Sequence, residues 1–306
     1  MTVPKINTPQ QLRDAYRQVV EQVGEAAGRA GRKSQDVVLV AVTKFASPDQ
    51  IRLLAEMGHR DFGENRVQHL AQRVPQLEEF LSRKRLLSPV KEQDDVRPSR
   101  VTAGRRAPAE KRVAGDTIRW HMIGHLQRNK VKQVVPLVRL IHSVDSLRLA
   151  EELHALGARL DKPVEILLQV NSGGEESKYG FAPPAVVHVA EQIDSMIHLR
   201  LRGLMTMAPY RERAEDSRDC FARTEELFHD VRDQLSSDHF NILSMGMTND
   251  YTVAIEQGAN LVRVGRAIFG EPADHIEVEE EPDPQRVDRR AGSARIAREN
   301  QRAREG

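Results

Sequence analysis

The sequence predicts an α/β protein built on a parallel sheet, with a strand count that matches one (β/α)8 barrel and an extra helix at the N-terminal side. Three observations carry this. Val37–Lys44 (VVLVAVTK) is a nearly all-apolar, β-branched run, the pattern of a strand buried on both faces. With seven further short candidate strands it makes eight, with helical stretches between them, the alternation typical of parallel sheets. Hydrophobic residues make up 39% of the 306 residues, enough to bury a large core. A doubly wound sheet also fits the alternation, so strand counting leaves both topologies open.

In chain order, Gln11–Ala30 reads as an amphipathic helix with Thr8 and Pro9 at its start. After the strand Val37–Lys44, Ser47-Pro48-Asp49 supplies a cap, a first-turn proline and an acidic first turn for a helix ending near Gly58. Further strands are expected at Asp61–Glu64, Ile118–Gly124, Leu140–Asp145, Val164–Asn171, Leu199–Met207, Ile242–Met247 and Leu261–Gly270. Helices are expected at Ala150–Arg159, Pro184–Ser195, Arg218–Leu235 and Asp250–Gln257, among others. Two regions break the rhythm. Ser82–Asp116 has little apolar periodicity, several Pro and Gly, and ten Lys/Arg against five Asp/Glu. So long a stretch without structure reads as an insertion. Glu271–Gly306 turns from acidic to basic and reads as a solvated tail whose second half could form a polar helix. The expected organisation is a barrel over 1–270, interrupted at 82–116, and a charged tail over 271–306.

Composition removes several function classes. Lys+Arg of 46 against Asp+Glu of 45 leaves a net charge of +1, with no global attraction to nucleic acid or anionic membrane. Aromatic residues at 4% are too few for a base-stacking platform. One cysteine, Cys220, excludes an internal disulfide framework and fits a reducing, cytoplasmic compartment. No run reads as a transmembrane span, and Met1–Lys5 has no apolar signal region behind it.

Lys44 ends the most apolar strand, at the end where α/β barrels place their active face. Lysine normally avoids burial, and a site that accepts one often uses the neutral amine as a nucleophile toward a carbonyl. A lysine leaving the strand for solvent fits the position too. Ile242–Asp250 (ILSMGMTND) and Leu261–Gly270 (LVRVGRAIFG) each run from an apolar strand into a small-residue turn. Phosphate sites of such barrels often follow strands seven and eight. Gly246 and Gly265 would let backbone N–H groups approach an anion. Ser244 and Arg266 would add donors, and Arg263 lies within the last strand. Two ordinary glycine turns and a surface arginine are the alternative. Phe62–Asn65, His121–Asn129 and Glu176–Gly180 are polar motifs at other strand ends. His121 and His125 are spaced i, i+4, but Ile123-Gly124 reads as a strand end and no carboxylate is near in sequence, so no metal is expected.

Seven motifs, in order, resemble the pyridoxal phosphate homeostasis proteins, the YggS/PROSC family. They are VAVTK at Val40–Lys44, FGENRVQ at Phe62–Gln68, WHMIGHLQRNK at Trp120–Lys130, ESKYG at Glu176–Gly180, RGLMTM at Arg202–Met207, SMGMTND at Ser244–Asp250 and VRVGRAIFG at Val262–Gly270. The resemblance runs from about Gln11 to Gly270, interrupted by Ser82–Asp116. It implies a single (β/α)8 TIM barrel like the alanine racemase N-terminal domain (fold type III of the pyridoxal-phosphate-binding proteins). It implies pyridoxal 5′-phosphate as cofactor, held as a Schiff base on Lys44. It implies that Ser244 and the Gly265–Arg266 backbone, with Gly246 beside them, hold the phosphate. Arg263 would face the pyridine nitrogen, and Asn65, His121 and Met205 would lie around the ring. Lys178 would be a secondary contact near the pocket mouth. Release would follow by transaldimination, when an incoming amine or the lysine of an acceptor apo-enzyme displaces Lys44. An arginine on the ring nitrogen keeps it unprotonated and weakens the ring as an electron sink. The sequence departs from the family pattern at the insertion, at the tail, and at Arg266, where many members carry Ser or Thr.

Racemases of this fold use a second base, a tyrosine from a separate β-domain. The tyrosines here are Tyr16, Tyr179, Tyr210 and Tyr251, and nothing after Gly270 reads as a β-domain. The expectation is therefore a monomeric cofactor carrier in vitamin B6 homeostasis, without robust turnover. The alternatives are a pyridoxal-phosphate-dependent amino-acid racemase or related enzyme of low specificity, and an aldolase using Lys44 without cofactor.

Overall fold

The computed structural model describes residues 6–87, 117–174, 179–235 and 237–271. Eight strands, β1 (Val38–Val42), β2 (Asp61–Glu64), β3 (Arg119–Met122), β4 (Leu140–Val144), β5 (Val164–Val170), β6 (Leu199–Thr206), β7 (Ile242–Ser244) and β8 (Leu261–Val264), close into a barrel in chain order. Every neighbouring pair is parallel, and β8 returns to pair with β1. The helices are α1 (Pro9–Arg29), α2 (Pro48–Glu56), α3 (Val67–Leu87), α4 (Val131–Val134), α5 (Leu147–Leu160), α6 (Val186–Asp194), α7 (Arg218–Gln234), α8 (Tyr251–Glu256) and α9 (Arg266–Phe269). The closed barrel settles the topology that strand counting left open.

α1 begins where the sequence signals it. The Thr8 hydroxyl accepts from Gln11 N–H at 3.2 Å, and the Gln11 side chain accepts from Thr8 N–H at 3.1 Å. Leu12, Ala15, Val19, Val23, Ala26 and Ala27 form its buried stripe at helical spacing. The stripe packs on α8 and α9, and Arg29 reaches Glu256 at 2.7 Å.

Two cores result. The larger lies between the strands and the helical shell. The smaller, made of Val40, Leu140, Leu167, Met205 and Leu261, fills the barrel interior. At the end where the strands begin, Arg119 grips Asp61 at 2.5 and 2.7 Å. There too, buried Glu165 meets Arg202 at 2.7 Å, Arg139 at 3.0 Å and Arg200 at 3.5 Å. Such pairing is what makes carboxylates tolerable in a barrel interior.

The strands are shorter than the apolar runs that predict them. Leu261–Gly270 divides at Gly265 into β8 and the single turn α9, whose Ile268 and Phe269 are buried. A buried helical turn and a buried strand share the same apolar signature. Likewise Ser82–Leu87, placed in the insertion by its composition, continues α3. Lys84 bonds Glu56 at 2.7 Å and Arg83 bonds Glu79 at 2.6 Å. The rest of the predicted insertion and residues 272–306 of the predicted tail lie outside the described residues. Among the described residues, no helix is long and apolar enough to cross a membrane.

One buried group makes a pH prediction. His59 accepts from the Tyr16 hydroxyl at Nδ1 (3.1 Å) and donates from Nε2 to the Asp61 carbonyl (2.7 Å). Burial is the largest influence and pulls its pKa down to about 4. The unfolded chain titrates at the ordinary value of about 6.5. Between the two, the unfolded state binds a proton that the folded state refuses, so stability is full above about pH 6.5 and falls toward pH 4. The loss is roughly 3 kcal/mol at ~1.4 kcal/mol per unit. The urea midpoint is expected to drop across that window, and to drop less in His59→Gln. An equal drop in both proteins would contradict this assignment.

Candidate functional site

Lys44 lies two residues beyond β1, half-buried, at the end of the barrel where the strands finish. Its Nζ sits 4.9 Å from the Phe45 ring centroid, and among the described residues no carboxylate pairs with it. The turn that carries it is held from two sides. Ala46 N–H donates to the Thr43 carbonyl at 2.8 Å. From α3, Arg73 donates to the Thr43 carbonyl at 2.7 Å and to the Ala46 carbonyl at 3.0 Å. The same guanidinium pairs with Glu64, which is fully buried at the end of β2. Glu64 also accepts from the Thr43 hydroxyl at 2.8 Å and from the backbone of Asn65 at 2.8 Å and Arg66 at 3.2 Å. The lysine itself stands out as a sequence motif, but this clamp does not. Its arginine is an ordinary-looking residue on a helix, 29 positions away in sequence.

β8 neighbours β1, with Ala41 opposite Val264, so Gly265 and Arg266 come to the same end of the barrel as Lys44. A side chain at Gly265 would press on Val42, its Cβ 3.2 Å from Val42 Cβ. Gly246 has φ +90°, and a Cβ there would lie 2.6 Å from Ala254 Cβ. Close packing thus accounts for both glycines. Arg266 stands 3.8 Å from Glu271.

Arg263 and Ser244 meet directly. Arg263 donates to Ser244 Oγ at 2.5 Å and to the Thr206 carbonyl at 2.8 Å, all buried inside the barrel. Burial is the largest influence on the guanidinium and pulls it down to about 10, while the Asp250 carboxylate opposes this. It therefore stays charged at neutral pH, with a hydroxyl and a carbonyl as its hydrogen-bond acceptors. Asp250 accepts from Met247 N–H at 2.6 Å, and burial raises its pKa.

The remaining residues singled out by sequence divide. Asn65 follows β2, and its Oδ1 is buried without a partner. Met205 belongs to the inner core. His121 is buried on β3, bonded to Asp61 and His142. Lys178 lies outside the described residues. His125, beyond β3, bonds Asp145 at 2.8 Å and stacks on Tyr179 with centroids 4.1 Å apart. The carboxylates that His121 and His125 lack in sequence thus arrive from β2 and the end of β4. Among the described residues, no group of three or more His, Cys, Asp or Glu is arranged to hold a metal ion.

The chain thus closes an eight-stranded parallel barrel, with Lys44 just past its first strand and Arg263 buried in its last. The chain belongs to the alanine racemase N-terminal domain family, whose model matches residues 17–272. Within that frame it is 35% identical to a protein of Aquifex aeolicus named pyridoxal phosphate homeostasis protein, over 83% of this chain and 95% of the relative. A Bifidobacterium adolescentis structure matches with a TM-score of 0.73 and 29% identity, over 87% of this chain and 99% of that one. The structure of PipY from Synechococcus elongatus with pyridoxal phosphate bound matches with a TM-score of 0.62 and 27% identity, over 83% and 100%.

Proposed function

We propose that this protein binds pyridoxal 5′-phosphate through Lys44 and serves intracellular homeostasis of the cofactor by holding it and releasing it to acceptors. The observation that carries the reading is the pairing of two features at one end of the barrel. One is a primary amine free of carboxylate partners among the described residues, and the other is a buried, charged arginine bonded to Ser244. The residues fit the group. An aldehyde needs an amine, a phosphate needs fixed donors, and a ring nitrogen needs a polar partner. The orphaned Asn65 Oδ1 leaves one further polar atom for a ligand to satisfy. The PLP-bound PipY and the relatives' names support the same reading.

The cofactor supplies an aldehyde that condenses reversibly with a primary amine. Lys44 provides that amine, and the Arg73–Glu64 clamp fixes the backbone from which it projects. Ser244 donates to the phosphate beside the Gly246 and Gly265 turns, with Arg266 at the rim. Arg263 faces the ring nitrogen, with Asn65 and Met205 around it, while His121, bonded to His142 and Asp61, stands behind Ser244 and not at the ring. A second amine, from a small molecule or an acceptor apo-enzyme, displaces Lys44 and takes the cofactor away. The single buried cysteine fits residence in the cytoplasm, and a closed barrel needs no partner to cover a sheet edge, which fits a monomer.

A carrier fits better than a racemase. Tyr16 is committed to His59 and Tyr251 donates to Gln22, both in the helical shell, and Tyr210 is exposed, which leaves Tyr179, stacked on His125, as the tyrosine a racemase would have to use. Titration with pyridoxal phosphate is expected to shift the cofactor's absorption from that of the free aldehyde at one equivalent. A panel of L-amino acids should give no accumulating D-product. Sustained racemisation would overturn the carrier reading, and an unshifted spectrum would overturn cofactor binding.

A further inference from the structure

The hydrogen bonds that start at Arg263 do not end at Ser244. Ser244 Oγ lies 3.0 Å from His142 Nδ1, His142 Nε2 lies 3.0 Å from His121 Nδ1, and His121 Nε2 lies 3.2 Å from Asp61 Oδ1. Five side chains from β8, β7, β4, β3 and β2 thus form one buried chain across the barrel. A guanidinium only donates and a carboxylate only accepts. Burial, the largest influence, with the Arg263 charge adding to it, holds His142 well below its ordinary pKa, so it is neutral and has one N–H. Burial opposes the ionisation of Asp61, but hydrogen bonds from Arg119 and His121 outweigh it and keep the carboxylate charged.

If the His121 ring carries one proton, one arrangement satisfies every contact. Ser244 O–H donates to His142 Nδ1, His142 Nε2–H donates to His121 Nδ1, and His121 Nε2–H donates to Asp61. The Ser244 proton then points inward, away from any anion at the strand ends. Freeing it reverses the chain: His142 donates from Nδ1 to Ser244 and accepts at Nε2 from His121 Nδ1–H. His121 Nε2 still faces the carboxylate, and a bare lone pair there would be repelled. The reversed chain therefore contains one more proton than the resting one.

We infer that His142 and His121 are positioning residues for Ser244, and that donation from Ser244 to a phosphate ester is coupled to uptake of one proton by the His121–Asp61 pair. The inference rests on the reading of Ser244 as a phosphate donor. The charged and titratable groups facing the pair are His142 from β4, Arg119 from β3, and, on the Asp61 side, His59 before β2 with Tyr16 of α1 behind it; Arg263 from β8 lies beyond Ser244. Phosphate-ester binding then tightens as the pH falls, by up to tenfold per unit for one linked proton.

The test uses 4′-deoxypyridoxine 5′-phosphate, which has the ring and the phosphate but no aldehyde. Calorimetry at pH 8 in buffers of different ionisation heat counts the protons taken up, at a pH where the ester is already a dianion. The wild-type protein is expected to take up about one more proton per ligand than Ser244→Ala or His142→Phe. Its affinity should also fall more steeply with pH than theirs. Asp61→Asn, with folding checked by circular dichroism, should lose the same proton if His142→Phe fails to fold. Equal proton uptake and equal pH slopes in all proteins that bind would overturn the coupling and leave the phosphate site standing. Failure of the wild-type protein to bind the probe would remove the phosphate reading, and the inference with it.

Discussion

Glu64→Ala is expected to destabilise the folded chain by about 3–5 kcal/mol, the usual cost of stranding one partner of a buried ion pair. Glu64 is fully buried and takes four hydrogen-bond donors: Arg73, the Thr43 hydroxyl, and the amides of Asn65 and Arg66. Removing it leaves the Arg73 guanidinium, itself largely buried, without a counter-charge. Replacing both residues by methionine is expected to recover part of that loss: it strands no charge, but it leaves the Thr43 hydroxyl, the Asn65 and Arg66 amides and the Thr43 and Ala46 carbonyls short of a partner. The double variant separates stability from positioning. Its fold should hold, yet the Thr43 and Ala46 carbonyls no longer have Arg73, so covalent attachment of the cofactor at Lys44 should slow. Denaturant midpoints and the rate of attachment read the two effects independently. A Glu64→Ala protein within 0.5 kcal/mol of wild type, the ordinary range for a surface change, would show that the clamp carries no weight.

Arg263→Met is expected to weaken pyridoxal phosphate binding by about 10- to 100-fold, the equivalent of one hydrogen bond to a charged group. The same change should cost little stability. It removes a buried charge whose own desolvation is costly, which offsets the stranded Thr206 carbonyl, one lone pair of Ser244 and the opposing charge lost to Asp250. The signature is therefore affinity lost with melting behaviour kept, read by binding titration and thermal unfolding on one preparation. A large loss of stability with affinity retained would make Arg263 a structural residue of the barrel.

Much of the fold was legible because parallel strands buried on both faces advertise themselves as apolar runs, as Val164–Val170, buried at every position, does. What misled was apolarity without a period. The AIF of α9 looks like more of β8, and the charged start of the predicted insertion hides the last turns of α3. The site divides similarly. Lys44, Ser244 and Arg263 stand at strand ends or inside strands where their chemistry is out of place, so sequence flags them. Arg73, His142 and Asp61 do not stand out, and Glu64 shows only as part of the polar motif Phe62–Asn65. Each matters through a partner from another strand or helix, and a histidine in the strand LIHSV looks like any buried polar residue until Ser244 is seen across the barrel from it. Contacts between distant strands exist only once the barrel closes, and periodicity cannot report them.

The central claim is that Lys44 is the amine that holds pyridoxal phosphate. The most direct test incubates the protein with the cofactor, reduces it with borohydride and maps the modified peptide, in parallel with Lys44→Ala. The account predicts one reduced adduct, on the peptide carrying Lys44, in the wild-type protein, and none in the variant. An adduct on another lysine, or equal labelling of both proteins, would contradict it.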